Sequence, residues 1–260
     1  MKILVCLKQV PAKDAPVKVA SDGAHAGKWI RDDVSYETNE PDAFALEEAL
    51  RQKEAHGGEV AALTVGPARA AQVLREALAK GADRAIHVLG DDVEALDSYA
   101  AAEAISRAIA GQGFDLIFTG LQSADFGFGQ TGVVLAELLG IPHSTIIMQV
   151  QPIEGGVRVK RELENGYFQF QELPTPAVLT IQSGINKLRY ATLMGIKQAK
   201  SKPLAQVVAA DLGVTPALNR QTIQRLYVPA KHKKTELLTG SAPQVAAQLA
   251  AHLKNDLRVI

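Results

Sequence analysis

The chain has 260 residues, of which 47% are hydrophobic and 22% are charged, which suits a globular protein and argues against wholesale disorder or a fibrous fold. The 28 lysine and arginine residues balance 28 aspartate and glutamate residues, so the net charge gives no support to a nucleic-acid partner. The single cysteine, Cys6, excludes an intrachain disulfide and a cysteine-rich metal site.

The first residues, Met1 to Val5, form an apolar run that is too short for the hydrophobic region of a secretion signal. No stretch of the sequence approaches the roughly 18 continuous apolar residues that a membrane-spanning helix requires. We therefore expect a cytoplasmic protein without a membrane span.

The first 140 residues alternate between short apolar runs and segments with helical periodicity. The predicted strands are 3–7, 59–65, 84–89 and 116–119, and the predicted helices are 39–56, 70–80, 95–110 and 130–139. Successive strand–helix units predict an α/β fold with a doubly wound, mostly parallel sheet.

The second part of the chain has a different pattern. Strands 157–162 and 167–173 are joined at Glu164-Asn165-Gly166, a signal for a β-hairpin insertion, and 177–181 is another buried strand. An extended tail covers 203–234, and a final amphipathic helix covers 243–253. We predict an α/β domain over 1–202, with the hairpin near 157–173, and a C-terminal arm over 203–260.

Ligands of open α/β sheets bind at the carboxyl ends of the strands, where the strand order reverses. The loops after the first, second and fourth predicted strands contain Lys8-Gln9, 65–67 and 120–132. The last loop is rich in glycine and enters a helix at Gln130-Thr131, where free backbone N–H groups suit a phosphate. It lacks the lysine of a P-loop and the GxGxxG spacing. A glycine-rich turn without a ligand is the alternative.

The sequence shows no pairing of a nucleophile with a base. Ser123 is outside a GxSxG motif, and the neighbouring Asp125 is an isolated carboxylate of the kind that caps turns. Glu47-Glu48 reads as a solvated helix face, and Cys6 as a packing residue. These features favour a binding or carrier role over a hydrolase.

A second unusual segment covers 189–197, where Leu193, Met194 and Ile196 are flanked by lysine and arginine residues. One interpretation is a short amphipathic helix packed on its own sheet. The other is an exposed apolar anchor within a basic rim, which suits docking to a partner protein.

The order of these motifs resembles that of the β subunit of electron-transfer flavoproteins, along essentially the whole chain. The most specific stretch is 184–193, with the sequence GINKLRYATL. The other matching stretches are 2–10, 39–53, 65–67, 80–84, 120–132 and 159–164.

The resemblance implies an adenine-nucleotide α-hydrolase-like fold and an obligate heterodimer with an α subunit, on which the C-terminal arm packs. It implies that FAD is held mainly by the α subunit and that this chain binds a structural AMP. It further implies an electron carrier rather than an enzyme, which accepts electrons from a flavin-dependent dehydrogenase, such as an acyl-CoA dehydrogenase, and passes them to a downstream acceptor.

The resemblance also assigns residues. Gln130 and Thr131 would bind the AMP phosphate, and the whole nucleotide site would comprise Cys6 (through its backbone), Asn39, Glu40, Pro41, Asp42, Val65, Gly120, Gln122, Ser123, Asp125, Gly127, Gly129, Gln130 and Thr131. Leu193 would insert into an apolar pocket of the dehydrogenase, within a recognition segment over 184–202. Tyr190, Met194, Ile196 and Lys197 would assist it, and Glu162 and Arg189 would steady a mobile flavin domain.

Two alternatives remain open at the level of sequence. In a bifurcating homologue, a second FAD replaces AMP, but the acidic-Gly-acidic-Thr run typical of such proteins is absent from the 120–132 loop. A stand-alone nucleotide-sensing domain is the other alternative, although such a domain needs neither the recognition segment nor the extended tail.

Overall fold

The computed structural model describes residues 1–16, 18–20, 29–30, 34–90, 92–230 and 235–259. The chain divides into two compact units, a larger one of Met1–Lys18 and Ile30–Gln224 and a smaller one of Val19–Trp29 and Arg225–Ile260. The larger unit therefore continues past residue 202, where the sequence prediction divides the chain, and ends at Gln224.

A nine-stranded sheet forms the centre of the larger unit. The strands of the described residues are β1 (Lys2–Cys6), β2 (Gln9–Pro11), β3 (Lys18–Val19), β4 (Trp29–Ile30), β5 (Tyr36–Thr38), β6 (Glu59–Gly66), β7 (Arg84–Leu89), β8 (Leu116–Gly120), β9 (His143–Ile153), β10 (Gly156–Glu162), β11 (Phe168–Pro174), β12 (Ala177–Ile181) and β13 (Leu204–Val208). The large sheet has the order β11-β10-β9-β12-β8-β1-β6-β7-β13, and two small two-stranded sheets pair β2 with β5 and β3 with β4.

Seven neighbouring strands of the large sheet, from β9 to β13 in its order, run parallel. Strands β10 and β11 extend the sheet in antiparallel fashion at one edge. This arrangement confirms the predicted α/β class with a mostly parallel sheet.

The described residues contain the helices α1 (Glu40–His56), α2 (Ala71–Lys80), α3 (Ser98–Ala108), α4 (Thr131–Leu139), α5 (Leu193–Ala199) and α6 (Ala242–Ala251). Helices α1 to α4 pack on the large sheet. Apolar residues of α1 and α2 pack in one core cluster with β1, β6 and β8, whereas those of α3 and α4 pack in a second cluster. The sheet is therefore doubly wound, with a core on each face.

The predicted hairpin is confirmed between β10 and β11. Asn165 and Gly166 have positive φ angles of 57° and 76°, a conformation that asparagine and glycine adopt most readily. The N–H of Leu163 donates to the carbonyl oxygen of Tyr167 at 2.8 Å and closes the turn.

Strand β9 is absent from the sequence prediction, although it has 11 residues. Ile146 within it has a φ of +60°, and the register of β9 shifts against both β12 and β10. These irregularities interrupt the regular alternation by which a half-buried strand is read from sequence. Within the predicted extended tail, β13 pairs in parallel with β7.

The smaller unit contains α6, which begins with a capping box. The N–H of Ser241 donates to Gln244 Oε1 at 2.9 Å. Helix α6 begins within one residue of the predicted start at 243, and one turn of π-helix over His252–Asp256 follows it. Among the described residues, no helix is both long enough and apolar enough to cross a membrane.

Candidate functional site

A cleft opens at the carboxyl ends of β1, β6 and β8. Strand β1 lies between β6 and β8, so the chain order reverses there, as the sequence predicts for a ligand site. The cleft contains about 1230 Å³ of empty space, including space that is open to solvent. Its position at the carboxyl ends of the strands, where the strand order reverses, suits a nucleotide.

Asp42, in the first turn of α1, ties that helix to the strand ends. The backbone N–H of Lys8 donates to Asp42 Oδ2 at 2.7 Å, and the N–H of Gly120 donates to Oδ1 at 2.9 Å. Burial raises the pKa of the Asp42 carboxyl to about 6, against the lowering effect of these hydrogen bonds, of Asn39 and of the Lys8 charge. A Cβ atom on Gly120 would lie 2.2 Å from Asp42 Oδ1, so this contact requires glycine.

Asn39, which precedes α1, fixes the loop on the opposite wall. Its Nδ2 donates to the carbonyl oxygen of Gln122 at 3.0 Å, and its Oδ1 accepts from the N–H of Ala124 at 3.0 Å. The Asn39 N–H donates to the carbonyl oxygen of Lys8 at 2.9 Å. One buried amide thus joins the end of β1 to the loop that follows β8.

Lys8, which follows β1, forms an ion pair with Asp125 of the loop that follows β8. Lys8 Nζ lies 2.6 Å from Asp125 Oδ1, 3.3 Å from Ser123 Oγ and 5.0 Å from the ring centroid of Phe126. Burial alone would raise the pKa of Asp125, but the Lys8 charge and hydrogen bonds from Lys8, Ser123 and the Phe126 N–H outweigh it and lower the pKa. Asp125 is therefore an ionised structural residue.

The glycine-rich turn ends at the start of α4. Gly129 has a φ of +63°, and within the described part of the chain no side chain caps the helix at Gln130. A Cβ atom on Gly132 would lie 2.6 Å from Thr119 Oγ1, so glycine lets the first helical turn approach the sheet closely. The first backbone N–H groups of a helix have no intrahelical acceptor, and at Gln130 and Thr131 they border the cleft.

Cys6, the last residue of β1, and Gln9, the first residue of β2, also line the cleft. Burial, with a smaller effect of the Asp42 charge, raises the pKa of the Cys6 thiol, which is therefore protonated at neutral pH. Gln9 Nε2 donates to the carbonyl oxygen of Arg69 at 3.2 Å, but the buried Oε1 of Gln9 has no hydrogen-bond partner among the described residues. This free acceptor fits a ligand that offers an N–H group.

The structure brings most of the predicted nucleotide-site residues together in the cleft wall. They are Cys6, Asn39, Asp42, Val65, Gly120, Gln122, Ser123, Asp125, Gly129, Gln130 and Thr131. Glu40 and Pro41 lie in the first turn of α1, outside the residues that line the cleft, and Gly127 forms the turn by donating its N–H to the Ser123 carbonyl at 2.9 Å.

Other cleft residues were absent from the predicted site. Asp97 caps α3 by accepting from the Ala100 N–H at 2.8 Å, and it also accepts from the N–H groups of Arg220 and Gln221 at 2.5 and 2.8 Å. Gln221 Nε2 in turn donates to Gln130 Oε1 at 3.2 Å. Asp97 precedes a predicted helix and could have been identified as a cap, but no local signal brings the distant Arg220 and Gln221 to this rim.

The recognition segment (184–202) lies on α1 and α2, away from the cleft. Its side chains Tyr190, Leu193, Met194 and Ile196 are 94%, 89%, 63% and 48% exposed, and Lys197 is exposed as well. The segment does contain a short helix, α5, but this helix packs on α2 rather than on the sheet. Glu162, at the end of β10, accepts from Gln182 Nε2 at 3.2 Å.

The prediction that Glu47 and Glu48 form a solvated face is wrong. Both residues are buried, because the recognition segment covers them. Glu47 accepts from the guanidinium of Arg189, and Glu48 accepts from Asn186 Nδ2 at 3.2 Å. Arg189 is thus paired within the chain.

Comparison with known proteins places the chain in a family. The family model of the electron transfer flavoprotein domain matches residues 27–212. The chain is 38% identical to electron transfer flavoprotein subunit beta of Methylophilus methylotrophus over 96% of both chains. It is 37% identical to the mitochondrial subunit beta of Oryza sativa subsp. indica over the full length of both.

A third relative has a different name. The acryloyl-CoA reductase electron transfer subunit gamma of Anaerotignum propionicum is 37% identical over 86% of this chain and 83% of its own. All three relatives are named as electron-transfer subunits and are covered over most of their length. With the doubly wound sheet and the cleft at its switch point, these matches show that the chain belongs to the electron-transfer flavoprotein β-subunit family.

Proposed function

We propose that this chain is the β subunit of a heterodimeric electron carrier that binds AMP in the cleft as a structural nucleotide. FAD is shared with the α subunit, which holds most of it. The carrier accepts electrons from a flavin-dependent dehydrogenase and passes them to a downstream acceptor, and the chain itself is not an enzyme. The observation that carries the proposal is the cleft at the switch point of the sheet, with an uncapped helix start at one wall.

The cleft wall supports AMP by its chemistry. The free N–H groups and the positive dipole end at Gln130 and Thr131 suit a phosphate monoester. The unpartnered Gln9 Oε1 suits an N–H donor such as an adenine amine. The protonated Cys6 thiol and the paired Asp125 add no free negative charge that would repel a phosphate. Backbone groups of Cys6 and Val65 complete the proposed site.

The exposed side chains of the recognition segment support docking to the donor. Leu193 has the size and exposure of an anchor for an apolar pocket, and Tyr190, Met194 and Ile196, which lie within three residues of it in the sequence, are exposed as well. We assign Lys197 to the polar rim of this surface. The Anaerotignum propionicum relative is named as an electron transfer subunit of acryloyl-CoA reductase, which supports a redox partner that acts on acyl-CoA thioesters.

Contacts with the α subunit complete the proposal. We assign Glu162 and Arg189 to the surface that steadies the flavin domain of the α subunit, and the C-terminal arm, with α6, to a surface that packs on that subunit. Helix α6 has no buried residue, and Leu249 on it is exposed, which leaves an apolar group available for such packing. We assign the complex to the cytoplasm.

The test uses the heterodimer obtained by co-expressing this chain with the α subunit encoded beside it. The bound flavin is mixed with an acyl-CoA dehydrogenase and its substrate, and flavin bleaching is followed. The proposal expects reduction of the flavin at a rate that saturates with the concentration of the carrier. Flavin that stays oxidised with the acyl-CoA, amine and aromatic-acid dehydrogenases of the same cell would contradict the carrier role.

The nucleotide assignment has its own test in the same complex. Replacing Thr131 with tryptophan places a bulky ring at the start of α4, so we expect a lower AMP content and a lower yield of heterodimer. Replacing Val134 one turn later in α4 with leucine is the matched control. Full AMP occupancy in the Thr131→Trp variant would remove Thr131 from the site.

A further inference from the structure

We propose that Glu47 is a positioning residue for partner docking. Together with Arg189 it forms a clamp that holds the recognition segment in the conformation in which Leu193 and its neighbours point to solvent. This inference rests on the proposed docking role of that segment and identifies what prepares it for the partner.

The clamp is a network of charge-assisted hydrogen bonds. Arg189 Nε lies 2.7 Å from Glu47 Oε2, and its Nη2 lies 3.1 Å from Glu47 Oε1, so the guanidinium binds both carboxylate oxygens. The backbone N–H of Arg189 also donates to Glu47 Oε2, at 3.3 Å. The outer edge of the guanidinium reaches Glu54 Oε1 at 2.5 Å. This bidentate geometry fixes orientation as well as charge.

The two carboxylates that bind Arg189 differ in burial, and the buried one, Glu47, holds Arg189 more firmly. The Glu47 side chain is only 5% exposed, whereas that of Glu54 is 59% exposed. Ion pairs exposed to solvent contribute little, but a buried carboxylate that loses its partner is left with an uncompensated charge. The inner pair with Glu47 therefore determines the position of Arg189, and the outer pair with Glu54 is an addition.

The same segment is attached at two further points. Asn186 Nδ2 donates to the carbonyl oxygen of Phe44 at 3.1 Å and to Glu48 Oε2 at 3.2 Å. Beyond Arg189, a Cβ atom on Gly195 would lie 2.2 Å from the carbonyl oxygen of Ala79, so the start of α5 rests directly on the end of α2. Arg189 lies between these two attachments and determines the path of the residues that lead to Leu193.

The clamp has a consequence for docking. The side chains of Tyr190 and Leu193 are 94% and 89% exposed, so packing against the described part of the chain buries little of either. A flexible segment would have to be ordered by the partner, and that ordering subtracts from the binding free energy. Because Glu47 fixes Arg189, the segment is ordered before the partner arrives.

The chain offers a matched control for the charge of Glu47. Arg51 Nε lies 3.1 Å from Glu47 Oε1, one turn along α1, and its side chain is 47% exposed. The Arg51→Gln variant removes a cation from the same carboxylate but leaves the recognition segment attached. It separates the effect of the clamp from a general effect on the electrostatics of Glu47.

The experiment compares heterodimers that carry Glu47→Gln, Arg189→Lys, Arg51→Gln or Leu193→Ala. Hydrogen exchange is measured for the amides of 188–199, and the KM for the carrier and kcat are measured with an acyl-CoA dehydrogenase. We expect Glu47→Gln to speed exchange in the segment and to raise KM about tenfold with kcat unchanged. Arg189→Lys keeps the positive charge but loses the bidentate geometry, so its exchange rate and its KM should lie between those of Glu47→Gln and those of the parent. The exchange rate and KM of Arg51→Gln should match those of the parent.

The outcomes separate the clamp from the docking role. If Leu193→Ala raises KM but Glu47→Gln and Arg189→Lys do not, the segment docks without needing the clamp, and the inference is wrong. Unchanged hydrogen exchange in both clamp variants would overturn it as well. If Leu193→Ala itself leaves KM unchanged, the proposed docking role is what fails. Arg189→Lys keeps the test valid if Glu47→Gln does not fold.

Discussion

The Leu193→Ala variant tests the proposed docking role of the recognition segment. The exposure of the Leu193 side chain sets the expected changes in stability and in affinity for the partner. Leu193 is 89% exposed in this chain, so its truncation removes almost no internal packing, and the free energy of unfolding should change by less than about 0.5 kcal/mol. The change removes three carbon atoms. If a partner pocket buries them, at about 0.8 kcal/mol for each, the loss is about 2.4 kcal/mol, or roughly 50-fold in affinity.

The assay for Leu193 is steady-state reduction of the heterodimer by a flavin-dependent dehydrogenase, with KM and kcat determined separately. We expect KM to rise roughly 50-fold while the bound FAD and the thermal stability stay as in the parent. Val208→Ala is the control, since Val208 is also exposed, at 47%, but lies on β13. Equal KM values for parent and Leu193→Ala would refute the anchor assignment.

Two further predictions concern the cleft. Because burial raises the pKa of Asp42 from 3.8 to about 6, the folded state binds its proton more tightly than the unfolded state does, and stability falls as pH rises through about 6. Urea denaturation from pH 4.5 to 7.5 should therefore show a loss of about 2 kcal/mol in the parent, most of it below about pH 6, that Asp42→Asn lacks; parallel pH profiles would argue against it. Asp97→Ala removes the acceptor for the N–H groups of Arg220 and Gln221, so hydrogen exchange at 219–221 should accelerate, and unchanged protection there would show that other contacts hold this stretch.

Local sequence chemistry was sufficient to predict several parts of the fold. The hairpin follows from Asn165-Gly166, whose positive φ angles suit those residues. The cleft follows from strand–helix phasing, since parallel strands deliver their following loops to one edge of the sheet. Strand β9 was missed because its bulge at Ile146 breaks the periodicity on which strand prediction depends.

Contacts between distant parts of the chain were beyond sequence reasoning. Glu47 looks like a solvated helical residue because its partner Arg189 lies 142 positions away. Lys8 and Asp125 are 117 positions apart, and in the sequence each looks like an ordinary polar residue. Their ion pair forms because the sheet places the loops after β1 and β8 side by side. Such pairs depend on the tertiary structure, which brings distant segments of the chain into contact. Neither secondary-structure propensity nor local periodicity contains that information.

The central claim is that this chain holds AMP and shares a single FAD with its α subunit. The most direct measurement is to denature the purified heterodimer and to quantify the released nucleotides by chromatography. The account predicts FAD and AMP in equal amounts, each stoichiometric with the heterodimer. Twice as much FAD as heterodimer, with no AMP, would contradict it and would assign the cleft at the carboxyl ends of β1, β6 and β8 to a second flavin.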